Sequence, residues 1–66
     1  MKYFIAKVEL YNQETDNRVS FEIKAVAPTH TVGYHMILDK IKDFQEIHNF
    51  KSYEIHNLNI KVEDTH

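Results

Sequence analysis

Two stretches of this chain alternate between apolar and polar residues with the same period of two, and that alternation restricts the fold more than any other feature. In "YFIAKVELY", residues 3–11, Phe4, Ala6, Val8 and Leu10 share one phase. In "RVSFEIKAV", residues 18–26, Val19, Phe21, Ile23 and Ala25 do the same. A period of two places these residues on one face of a strand. The intervening "NQETDN", residues 12–17, is polar and rich in turn formers, so the pair reads as a β-hairpin. One register sets Leu10 against Val19, Val8 against Phe21, Ala6 against Ile23 and Phe4 against Ala25. It makes one face continuously apolar and places Lys7 opposite Glu22, a favourable cross-strand pair. A slip of one residue would turn every apolar side chain to the wrong face.

After the second strand the period changes. "APTHT" interrupts the sheet, because Pro28 has no N–H for a ladder and Thr29 or Thr31 is suited to cap a helix. From residue 32, Tyr34, Ile37, Leu38, Ile41, Phe44 and His48 recur at helical spacing. The pattern predicts a helix ending between residues 46 and 49. Gly33 falls in its first turn, where it costs up to about 1 kcal/mol relative to alanine. The last segment, "SYEIHNLNIKVE", alternates through Leu58, Ile60 and Val62, whereas Tyr53 and Ile55 hold the opposite phase. The switch predicts a bulge or kink at His56–Asn57.

The fold expected is therefore α+β, one β-β-α-β domain over residues 1–66. A right-handed crossover leaves strand 1 between the other two, giving the order 2-1-3 with strand 3 antiparallel to strand 1. The helix covers Phe4, Ala6, Val8, Leu10, Val19, Phe21 and Ile23. The opposite face has no cover from this chain. It carries Tyr3, Ile5, Lys7, Glu9 and Tyr11 beside Arg18, Ser20, Glu22, Lys24 and Val26.

A 66-residue domain buries only about 60% of the surface that its unfolded chain exposes. Small domains gain the missing stability from disulfides, a metal, tight packing or a partner. The chain has no cysteine, which removes disulfides and thiolate zinc sites and fits a reducing compartment. No apolar run reaches membrane-spanning length and no signal-peptide core is present, so the expected location is cytoplasmic. One glycine cannot build a phosphate-cradling loop.

Five histidines, at 30, 35, 48, 56 and 66, are the compositional oddity. His35 and Asp39 lie one helical turn apart, as do Asp39 and Asp43, at a spacing compatible with two metal ligands. A closed site needs further ligands, and no pair of histidines falls at i, i+4. The expectation is solvated histidines, with no metal and no cofactor. Ser20 and Ser52 are the only serines, and neither has a neighbouring glycine or a base arranged for nucleophilic attack. The chain reads as a non-enzyme.

The uncovered sheet face is the stronger candidate. An apolar patch inside a mixed-charge rim is the pattern of a protein interface, and tyrosine is enriched among residues that dominate binding energy. The candidate partner-binding residues are Tyr3, Ile5, Lys7, Tyr11, Arg18, Lys24 and Val26, with the edges of strands 2 and 3 as a second route by strand addition. The partner is another protein or a second copy, in a homodimer. The alternative is a weak single-stranded nucleic-acid binder that stacks bases on the same tyrosines. The net charge of -2 and the near-balance of charge on that face argue against it, since phosphate neutralisation supplies most such affinity. The lean toward Ile, Lys and Asn suggests an AT-rich genome. Short chains without catalytic apparatus often act by occupying another protein, as inhibitors or accessory factors of phages and mobile elements do, and a module of that kind is the function expected.

Overall fold

A computed structural model of the chain describes residues 1–64. Its elements run β1 (Lys2–Asn12), β2 (Asn17–Ala27), α1 (His30–Ile47) and β3 (Glu54–Asp64). The sheet is three-stranded with the order β2-β1-β3, and both neighbours are antiparallel to β1. The expected hairpin register is present, with Phe4 opposite Ala25, Ala6 opposite Ile23, Val8 opposite Phe21 and Leu10 opposite Val19. Pairing with β3 continues the same face through Val62, Ile60 and Leu58. Between Glu9 and Leu10 the partner jumps from Asn57 to Ile55, so His56 is the extra residue of a β-bulge. The bulge brings Ile55 back to the helix side opposite Leu10, which explains the change of phase in the sequence.

β1 and β2 run slightly past the alternating stretches read in the sequence, whereas β3 begins at Glu54, after Tyr53. Asn12 belongs to β1 and pairs with Asn17 rather than opening the loop. It is buried, and both ends of its amide are engaged. Oδ1 accepts the Glu14 and Thr15 N–H groups at 2.9 and 3.3 Å, and Nδ2 donates to Ser52 Oγ at 3.3 Å. The hairpin turn closes through the Asp16 N–H donating to the Asn12 carbonyl at 2.8 Å. Asp16 takes a φ of 58°, a left-handed conformation that Asp and Asn tolerate better than most residues. Beside the other end of the hairpin, Lys2 Nζ lies 2.8 Å from Asp64 Oδ1. The hydrogen bond and charge of Lys2 hold the Asp64 carboxyl below its ordinary range.

The helix begins at His30, two residues earlier than the periodicity predicts, because Thr29 is its cap: Thr29 Oγ1 accepts the Val32 N–H at 3.2 Å. Its C-terminus is closed by a Schellman motif. The Phe50 N–H donates to the Gln45 carbonyl at 2.7 Å and the Asn49 N–H to the Glu46 carbonyl at 3.4 Å, with Asn49 at a φ of 59°. Phe50 stacks on Phe44, the hydrophobic contact that accompanies this motif. Gln45 Nε2 then donates to the carbonyls of Phe50 and Tyr53 at 3.2 and 2.8 Å. That side chain ties the end of α1 to the turn before β3.

The core is formed by Phe4, Ala6, Val8, Leu10, Ile23, Ala25, Ala27, Ile37 and Ile41. Phe21 stacks on Phe44 with ring centroids 3.8 Å apart, which fixes the helix over β2. The buried stripe of α1 is Gly33, Ile37 and Ile41. Tyr34 and Leu38 belong to the expected stripe but are 41% and 47% exposed. The physical reason is lateral: α1 lies over β2 and β1 and stops short of β3, so its flank toward β3 has no strand beneath it.

Gly33 has a packing role that its helix propensity conceals. A Cβ there would enter the ring of Phe4, which is fully buried and has no room to retreat. Phe4 is also edge-on to His30 and Tyr34, at centroid distances of 6.1 and 5.8 Å. Alanine at residue 33 would gain about 1 kcal/mol of helix propensity and lose about 1–3 kcal/mol to overpacking. Gly33→Ala is expected to lower the urea midpoint by the equivalent of up to about 2 kcal/mol with an unchanged slope. In a Phe4→Leu background the same change should be neutral or stabilising, a double-mutant cycle that isolates the ring contact.

Candidate functional site

Among the described residues, nothing covers the side of the sheet away from α1, and the register sets its rows. Tyr3 lies between Val26 and Glu63, Ile5 between Lys24 and Lys61, and Lys7 between Glu22 and Asn59. Glu9 lies between Ser20 and Asn57, and Tyr11 between Arg18 and Glu54. The seven candidate residues therefore share one surface, as the alternation requires, but they separate into three zones with different chemistry.

The first zone is apolar. Tyr3 and Ile5 are half-buried by their neighbours, and Val26, directly opposite Tyr3, is 45% exposed. Lys24 and Lys61 flank Ile5 on the adjacent strands. Their stems extend the apolar surface while their ammonium groups stay in water.

The middle zone is polar and shallowly concave. A depression of about 500 Å³ is lined by Lys7, Val8, Glu9, Ser20, Phe21, Glu22, Asn57 and Asn59. The expected ion pair between Lys7 and Glu22 does not form, although the two residues are directly opposite. Glu22 instead lies 3.8 Å from Lys24 on its own strand. Same-face residues two apart on an extended strand are within reach of a long side chain, and Lys24 takes the carboxylate. Arg18 lies 3.9 Å from Glu9, and Lys61 lies 3.1 Å from Glu63. Lys7 has no ion-pair partner among the described residues. The acids and bases thus largely neutralise one another across the face.

Tyr11 occupies the third zone and is already engaged. Its hydroxyl donates to Asp16 Oδ1 at 2.7 Å, the Arg18 guanidinium sits 5.4 Å from its ring centroid, and the His56 ring is 5.5 Å away. His56 Nε2 also lies 3.7 Å from Glu9. The bulge puts His56 beside Asn57 on this face, a placement that periodicity alone does not yield. Tyr11 closes the hairpin end of the sheet, and among the described residues the apolar zone at Tyr3 is the part left open.

His35, Asp39 and Asp43 are exposed on α1. Among the described residues, no group of three or more His, Asp or Glu side chains is placed to hold a metal ion. His66 lies outside the described residues. No helix among them is long and apolar enough to cross a membrane. The chain matches no family model, no curated protein and no solved structure.

The carboxylate of Asp16 favours the protonated phenol of Tyr11, so the Tyr11 pKa is raised, chiefly by that hydrogen bond. A folded-state pKa above the unfolded value contributes stability that is complete below the unfolded pKa and is lost as pH rises through the folded one. In an NMR titration Tyr11 is therefore expected to ionise at higher pH than an ordinary tyrosine. Asp16→Asn should bring it down, because the amide removes the charged acceptor.

Proposed function

We propose that this chain is a non-enzymatic protein-binding module that uses the uncovered sheet face, with its apolar end at Tyr3, Ile5 and Val26 as the anchor. One observation carries the reading. That face holds a contiguous apolar zone beside charges that already pair with one another, so binding energy is available from burial and little from net charge. If the three anchors and the lysine stems lose on the order of 300 Å² of apolar surface, the gross gain is roughly 7 kcal/mol at about 25 cal/mol/Å². Association costs at least about 4 kcal/mol, so the module suits a reversible complex. Lys7, Arg18 and Lys24 set orientation at the rim, where charges govern specificity and encounter more than affinity. Tyr11 braces the far end of the face. Occupation of another protein's surface, as an inhibitor or accessory factor, is the role such a module fills.

Tyr3→Lys combined with Ile5→Glu, whose carboxylate faces Lys24 and Lys61, is expected to weaken capture of the protein partner by at least about a hundredfold, the scale of losing hot-spot residues. The far-UV circular dichroism should be unchanged, because both side chains lie on the face away from α1. Binding that survives both substitutions would remove this face from consideration. Affinity for single-stranded nucleic acid that falls steeply with salt would instead favour base stacking on Tyr3.

A further inference from the structure

We infer that β3 is a self-pairing edge: two copies of the chain join antiparallel about Ile60 and form one continuous six-stranded sheet. This edge adjoins the apolar zone at Tyr3 and shares Lys61 with it, but the inference does not depend on that zone binding anything.

The two edges of the sheet are unequal. On β2 the residues of the helix side are buried at Ile23, Ala25 and Ala27 and partly buried at Val19 and Phe21, the latter beneath Phe44. A new strand beside β2 would cover further apolar surface only at Val19 and Phe21, toward the hairpin end. On β3 the helix-side residues Leu58, Ile60 and Val62 are only half covered, because α1 does not extend over that strand. A neighbouring strand would cover their open flank. From Asn57 to Asp64 the edge has no proline and no bulge; of the devices that blunt a sheet edge it carries charges at Lys61 and Glu63, which pair with each other, and at Asp64, which pairs with Lys2. Eight residues span about 26 Å at strand rise, a template long enough for a ladder.

The occupant follows from the pattern of β3 itself. Antiparallel self-pairing keeps the apolar side chains on one side only when the two-fold axis passes through a residue pair, because a half-step shift exchanges the faces. Centred on Lys61, the pairing sets two lysines directly opposite one another. Centred on Asn59, it sets Val62 against His56 at the bulge. Centred on Ile60, it sets Leu58 against Val62 of the second copy and Ile60 against its equivalent, so the apolar row is unbroken. On the other side the same register opposes Asn59 to Lys61 and Asn57 to Glu63, with no like charges face to face. Each Lys61 is further neutralised by its own Glu63 at 3.1 Å. Such self-complementarity is the requirement for an isologous two-fold interface.

The test is light scattering across about a hundredfold concentration range, paired with thermal melting, since a dimer that stabilises the fold makes Tm rise with concentration. The wild-type chain should pass from monomer to dimer. Asn59→Lys alters an exposed side chain and opposes two like charges to the Lys61 residues, so it should raise the dimer Kd by about three- to tenfold. Adding Lys61→Glu to the same chain should restore dimerisation, because the introduced charges then attract. Tyr3→Lys with Ile5→Glu should leave the dimer intact. A wild-type chain that stays monomeric throughout, or a dimer indifferent to Asn59→Lys, would overturn the proposal. Failure of the double variant to recover would overturn the register about Ile60. Loss of the dimer with the Tyr3 and Ile5 substitutions would assign self-association to the sheet face instead.

Discussion

The contact between Phe4 and Gly33 decides how the layers of this protein meet. Phe4 sits on the central strand with no exposed surface, and its ring fills the space that a side chain at residue 33 would occupy. Close approach of helix to sheet at this point seats His30 and Tyr34 around the same ring. The opposite end of α1 is held by aromatic stacking of Phe44 on Phe21 and by the hydrogen bonds of Gln45. These two anchorages set the helix along β2 and β1. In so small a core every buried methylene matters, because packing is dense and the stability margin is narrow.

The position of the helix has consequences on both faces of the sheet. A single helix is about 10 Å wide, while three strands about 4.8 Å apart present a wider surface. One strand must therefore be only partly covered, and here it is β3. Its apolar residues, together with Leu38 on the near flank of α1, remain partly in water. The other face has no cover among the described residues. The chain solves that exposure differently along its length: it braces Tyr11 with Asp16, Arg18 and His56, pairs most charges in the middle, and leaves Tyr3, Ile5 and Val26 open. Both partly exposed surfaces are economical places for a partner, since they present apolar area already held rigid by strand pairing.

Much of the architecture is legible in the residues because the face of a strand is encoded locally. Phe4, Ala6, Val8 and Leu10 specify the register with β2, and the change of phase at His56 specifies the bulge. The misplacements have equally local causes. Asn12 resembles a loop residue by composition, yet its amide meets the backbone of the turn and Ser52, far away in the chain. Tyr34 and Leu38 fit a helical stripe, but periodicity gives the centre of an apolar face poorly when that face is broad. Lys7 and Glu22 are opposite as expected, but a same-strand lysine reached the carboxylate first.

The sequence by itself determined the element order, the strand register, the bulge and the set of residues on the uncovered face, because each depends on periodicity and turn chemistry within a short segment. Only the tertiary structure decided which of those face residues are free. Tyr11 is engaged by residues on the hairpin and on β3, Gly33 is required by a ring 29 positions away, and the half-covered strip on β3 exists because α1 settles to one side. Each of these outcomes depends on where a helix rests on a sheet, which is set by packing between distant segments and leaves no periodic trace in the chain.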